Sequence, residues 1–109
     1  MSFFDDKFKI RENKIRRNYD IEDSLYSKLS FLSKKYEATI PDLINACINE
    51  LIITENVILY QKDINERLTP HTFYINENNV KGLEKLNDKY GVSIRKLVNI
   101  SLHNIIDKC

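Results

Sequence analysis

The sequence predicts a mostly α-helical domain made of two strand–helix–helix units in one chain, related by a pseudo-twofold and sharing a two-stranded antiparallel ribbon. Three observations predict it. KKYEATIPDLIN at 34–45 returns as DKYGVSIRKLVN at 88–99, a shift of 54 positions. That shift holds without a gap well beyond the motif: Ile21 meets Ile75, Leu29 meets Leu83, Leu32 meets Leu86, Leu51 meets Ile105 and Ile52 meets Ile106. Chance does not keep one offset over so long a stretch while preserving apolar spacing. Finally, two glycines and two prolines among 109 residues leave few turns, which favours helices over a many-stranded sheet. A chain of this length buries one core, so the two units need each other.

The elements follow in order. Residues 1–14 form a basic N-terminal arm, 15–52 the first unit, 53–68 a linker and 69–106 the second unit. In each unit the opening piece alternates, with Tyr19 and Ile21, or Phe73 and Ile75, on one parity. That is the signature of a short strand, expected at 15–21 and 69–75. A helix follows, carrying Leu25, Leu29 and Leu32 in one copy and Val80, Leu83 and Leu86 in the other. It breaks at EAT and at GVS, where Gly91 suits a left-handed closing residue and Thr39 and Ser93 suit the N-cap of the next helix. Thr39 and Asp42 are spaced as a capping pair, and Pro41 is tolerated in a first turn because its missing N–H would be unpaired there. The second helix carries Ile40, Leu43, Ile44, Cys47, Ile48, Leu51 and Ile52, repeated as Ile94, Leu97, Val98, Ser101, Leu102, Ile105 and Ile106. Such a stripe belongs in a core. The linker places Ile53, Val57, Ile64 and Leu68 at helical intervals, so helix is expected in part of it.

A lone strand has unpaired edges and the second helix is too apolar for water, so a unit cannot stand by itself. Pairing strand 15–21 antiparallel with strand 69–75 over four helices answers both demands. This order of elements resembles the MetJ/Arc ribbon-helix-helix superfamily. The residues that carry the resemblance are Ile75 with Leu83 eight positions on, then Tyr90-Gly91-Val92-Ser93 opening the second helix. Members of that superfamily usually obtain the ribbon by homodimerising; here two ribbon-helix-helix units look like a covalently fused dimer. The resemblance implies binding of double-stranded DNA by a ribbon laid in the major groove, which is wide enough to admit one. The expected molecule is a monomeric pseudo-dimer, able to associate further on tandem DNA sites.

Strand alternation then assigns the readers. With Tyr19, Ile21, Phe73 and Ile75 inward, the outer face carries Arg16, Asn18 and Asp20 from one strand and Pro70, Thr72 and Tyr74 from the other. Arg16, Asn18, Asp20, Thr72 and Tyr74 are the expected base contacts: arginine pairs with guanine, asparagine with adenine, and Thr72 offers a hydroxyl and a methyl. Asp20 could accept from cytosine, although a carboxylate beside phosphates is repulsive. The two faces differ, so an asymmetric or imperfectly inverted site is expected. The resemblance further implies that the start of the second helix clamps the backbone, at Thr39-Ile40 and Ser93-Ile94. Free amides and the helix dipole support this, and Arg95 and Lys96 strengthen it in the second copy where the first has Pro41 and Asp42. Upstream, within residues 7–17, Lys7, Lys9, Arg11, Lys14, Arg16 and Arg17 face Glu12 alone, so Lys14 and Arg17 join the expected phosphate contacts.

Other classes find no support. The net charge is +1, so the basic arm is a local feature. No nucleophile, base and orienting group fall into a recognisable motif and no glycine-rich phosphate loop is present, so no enzymatic activity, metal or cofactor is expected. Cys47 and Cys109 lack paired spacing, no apolar run approaches the roughly 18 residues that span a bilayer, and MSFFDDKFKI lacks the apolar core of a signal peptide. A cytoplasmic protein without a membrane partner is expected, acting as a transcriptional repressor or as a plasmid partition or conjugation accessory protein. The competing class is a helical protein–protein interaction module that does not bind DNA.

Overall fold

The computed structural model describes residues 13–107. Six elements follow one another: β1 (Lys14–Glu22), α1 (Asp23–Tyr36), α2 (Ile40–Thr54), β2 (Leu68–Asn76), α3 (Glu77–Tyr90) and α4 (Ile94–Ile106). The two strands pair antiparallel into one two-stranded sheet, and the four helices pack beneath it. Both strands run one residue further at each end than the alternation predicts. Pro70 lies within β2 opposite Asp20; in a two-stranded sheet every strand is an edge, so a missing N–H is tolerated there. The register sets Asn18 opposite Thr72, Arg16 opposite Tyr74 and Ile15 opposite Ile75. Asn18 and Thr72 are each other's counterparts under the 54-residue shift, so the repeat's own centre is the centre of the ribbon.

Capping chemistry bounds the helices at the two breaks the sequence suggests. Thr39 Oγ1 accepts from the Asp42 N–H and Ser93 Oγ from the Lys96 N–H, both at 3.2 Å. Each satisfies one of the four donors that a helix start leaves unpaired. Gly91 closes α3 at φ 66°, the left-handed region that favours glycine, while Glu37 closes α1 at φ 53°.

The core gathers one face from every element. Ile21, Leu29, Ile44, Ile48, Ile75, Leu83, Leu97, Val98 and Leu102 are fully buried. Each such aliphatic side chain contributes about 1.5–3 kcal/mol through burial. Ile100 is also fully buried although its counterpart Ala46 is exposed. Close by, the linker meets α4: Asn104 Nδ2 donates to the Asn56 carbonyl at 2.9 Å and the Tyr60 ring stacks on His103 at 4.0 Å, one helical turn beyond Ile100.

The two repeats are interlaced rather than stacked. The Asp23 N–H that opens α1 donates to the Arg67 carbonyl just before β2, at 2.9 Å, and the Glu77 N–H that opens α3 donates to the Asn13 carbonyl just before β1, at 2.8 Å. Likewise α2 fastens to β2 and α4 to β1. Each half of the chain therefore completes the hydrogen bonding of the other.

The linker meets its expectation only at its start. Helix continues only through Ile53 and Thr54; residues 55–67 form no helix. Glu55 turns left-handed at φ 53°, its N–H donating to the Leu51 carbonyl, and this ends α2. The helical spacing arose from unrelated environments: Val57 packs against the core, Ile64 is 95% exposed and Leu68 belongs to β2. Lys14 likewise belongs to β1 and not to the arm. Residues 1–12 of the expected arm, with Lys7, Lys9 and Arg11, lie outside the described residues.

Candidate nucleic-acid interface

Strand alternation brings Lys14, Arg16, Asn18 and Asp20 to the outer face of β1, and Pro70, Thr72, Tyr74 and Asn76 to that of β2. Arg16, Asn18, Thr72 and Tyr74 are exposed, with Tyr74 at 59% despite its large ring. At the centre, Thr72 Oγ1 donates to Asn18 Oδ1 at 3.4 Å. Asp20 differs from the other expected readers. It is half-buried and its Oδ2 lies 3.5 Å from Arg95 Nη1, so its charge is engaged by a residue expected to hold phosphate.

Arg17 stands on the other parity, opposite Phe73, and is exposed, with Nη1 donating to the Arg16 carbonyl at 3.1 Å. It lies on the ribbon's flank near Tyr19. Burial pushes the Tyr19 hydroxyl above its ordinary range, and the Arg17 charge opposes that rise.

Two helix starts border the ribbon, one at each end. Asn99 of α4, buried, spans Ile21 of β1: Nδ2 donates to the Asp20 carbonyl at 2.9 Å and Oδ1 accepts from the Glu22 N–H at 3.0 Å. Asn45 of α2 does the same around Ile75, donating to the Tyr74 carbonyl at 3.1 Å and accepting from the Asn76 N–H at 2.8 Å. Each asparagine also donates back to the carbonyl four residues earlier, Arg95 or Pro41, at 2.9 Å. The two Asn side chains thereby bolt each helix start to the strand beside it. Thr39-Ile40 and Ser93-Ile94 are held next to opposite ends of the ribbon. The identity of Asn45 and Asn99 in both repeats was the available signal for this role, but the strand each one grips is not written in the repeat.

The ends differ in where their charge comes from. At the α2 end, the helix start carries Pro41 and Asp42, and the cations come from the strand, as Lys14 and Arg16. At the α4 end, the strand carries Asp20 and the cations come from the helix, as Arg95 and Lys96. Beside the latter, the linker passes Gln61 and Lys62 along a cleft of about 410 Å³ bordered by Ser93, Arg95 and Lys96. No sequence signal placed them there. Tyr60 pins the linker through its stack on His103 and through its hydroxyl, which donates to the buried Glu22 carboxylate. Burial, and after it the bond to Glu22, push the Tyr60 hydroxyl far above its ordinary range.

Among the described residues no group of three His, Cys, Asp or Glu side chains could hold a metal ion, and no helix is long and apolar enough to cross a membrane. No protein-family model matches the chain, and neither curated proteins nor solved structures give a significant match.

Proposed function

We propose that this chain is a sequence-specific double-stranded DNA-binding protein: two ribbon-helix-helix units fused into one pseudo-twofold body that lays its ribbon in the major groove. The observation that carries this reading is the exposed polar row Arg16, Asn18, Thr72 and Tyr74, set between two capped helix starts that Asn45 and Asn99 fasten to the ribbon's ends. A two-stranded ribbon fits a groove about 12 Å wide. The side chains on it are donors and acceptors suited to base edges, and the helix starts are suited to the flanking phosphates.

Both ends carry cations, one set from the strand and one from the helix. Each end can therefore meet a phosphate strand, while the central pair is Asn18 against Thr72, two different readers. The preferred site is an imperfect inverted sequence. Binding of this kind serves a transcriptional repressor or an organiser of a plasmid partition or conjugation site, in the cytoplasm.

Selection of bound sequences from random duplex DNA, combined with a solution mass, tests the reading. One chain per ribbon and a selected motif with unlike halves are expected. A second reading, a protein-interaction module, is favoured by an apolar cleft of about 530 Å³ between α1, α2 and the end of α4, bordered by Leu32, Tyr36 and Leu43. Salt separates the two: DNA binding weakens with a log–log slope near 0.9 per phosphate neutralised.

A further inference from the structure

We propose that Lys62 of the linker and Lys96 of α4 face each other across the cleft at the Asp20 end of the ribbon and seat a DNA backbone phosphate beyond the ribbon's own span. The inference rests on the DNA-binding reading and adds to it a contact made by the linker.

Three observations carry it. The cleft, about 410 Å³, is large enough for a hydrated phosphate group, and it is bordered by Lys62, Lys96, Arg95 and Gln61. The carboxylate that lines it is already engaged: Glu22 is buried beneath the Tyr60 hydroxyl, and Asp20, outside the cleft, is paired with Arg95. Lys62 and Lys96, by contrast, have no carboxylate at ion-pair distance among the described residues, so two ammonium groups remain uncompensated.

The segment that presents Lys62 is also fixed on both sides. Tyr60 stacks on His103 before it. After it, Asp63 accepts from the N–H groups of Asn65, through its side chain, and Glu66, through its carbonyl; Glu66 Oε1 in turn accepts from the Ser24 N–H at 2.8 Å. A lysine on a fixed segment loses less freedom on binding an anion than one on a loose tether. Among the described residues the opposite end offers no equivalent: the cleft beside the start of α2 is bordered by Asp42, Asn45, Asn49, Asn76 and Asn79, with no cation.

The test uses the full chain and its selected duplex, with binding measured between about 50 and 200 mM salt. Replacing Lys62 by Ala is expected to lower the log–log slope by about 0.9, so that across this range the wild type loses about 3.5-fold more affinity than the variant. Lys62→Arg is expected to restore the slope. Ethylation interference is expected to lose one phosphate on one side of the site in Lys62→Ala. The control is Lys89→Ala, whose side chain pairs with Glu55 past the far end of α2, about 21 Å along that helix from its ribbon end, and borders neither of the clefts that Lys62 lines. Unchanged slope and interference in Lys62→Ala, or an equal loss of slope in Lys89→Ala, would overturn the proposal while leaving DNA binding intact. Absence of salt-dependent binding by the wild type to any duplex would remove the DNA-binding reading and this proposal together.

Discussion

Arg95 Nη1 lies 3.5 Å from Asp20 Oδ2, joining the first strand to the last helix at the outer surface of the ribbon. Arg95 is mostly exposed and Asp20 half-buried, so solvent screens the pair and it contributes little to stability. Its effect is on charge, because Asp20 holds an arginine that would otherwise be free for a phosphate. Asp20→Asn keeps the shape and removes the competitor. Titration of a duplex should give a binding constant about threefold to tenfold higher, and Arg95→Ala a slope lower by about 0.9. A change of base preference at one position in Asp20→Asn, without a gain in affinity, would identify Asp20 as a reader of cytosine.

Asn45→Ala and Asn99→Ala should each cost about 1–3 kcal/mol in urea unfolding, since each leaves strand N–H and C=O groups without their partner. The larger loss is expected for Asn45→Ala. Asn79, buried in α3, donates to both the carbonyl and Oδ1 of Asn45 at 3.0 Å, and it loses the second of these bonds as well. Losses below about 0.5 kcal/mol in both variants would mean that water replaces the bolts.

Asn18→Ala and Thr72→Ala change no charge. They should relax base preference by about 1–3 kcal/mol at the centre of the selected site while leaving the salt slope where it was. A uniform loss across all sequences would move the reading surface elsewhere.

The Tyr60 hydroxyl makes alkaline stability a further measurement. Its folded pKa is raised above the ordinary 10.0 by burial and by Glu22. The neutral phenol is therefore favoured in the folded state, and its contribution is complete below the unfolded pKa. As pH rises past about 10 the unfolded chain binds fewer protons than the folded one, so stability falls. Tyr60→Phe should flatten part of that fall, leaving a remainder to Tyr19, whose hydroxyl is raised by burial too. Melting temperatures of both proteins from pH 8 to above pH 11 check this; parallel curves would exclude Tyr60 as the source.

Much of this arrangement was legible in the chain. The 54-residue shift predicts the pairing of Asn18 with Thr72, strand parity predicts which side chains face outward, and Thr39, Ser93 and Gly91 mark the helix ends where they are found. These are local or periodic rules, written in adjacent residues. What escaped depends on the path of the chain through space. Helical spacing in the linker suggested helix, whereas Tyr60 settles on His103 and Glu22. Lys62 reaches the candidate interface because of that route. Asp20 meets Arg95 across 75 positions, a contact that no motif announces.

The interlacing of the halves has a consequence for life at low copy number. A ribbon assembled from two separate chains dissolves on dilution, because its folding is tied to protomer concentration. Here β1 and β2 travel together, joined through α1, α2 and thirteen residues from 55 to 67, so encounter is a first-order event. The melting temperature should not change with protein concentration, and a single molecule, newly made and alone, already owns both sides of its ribbon.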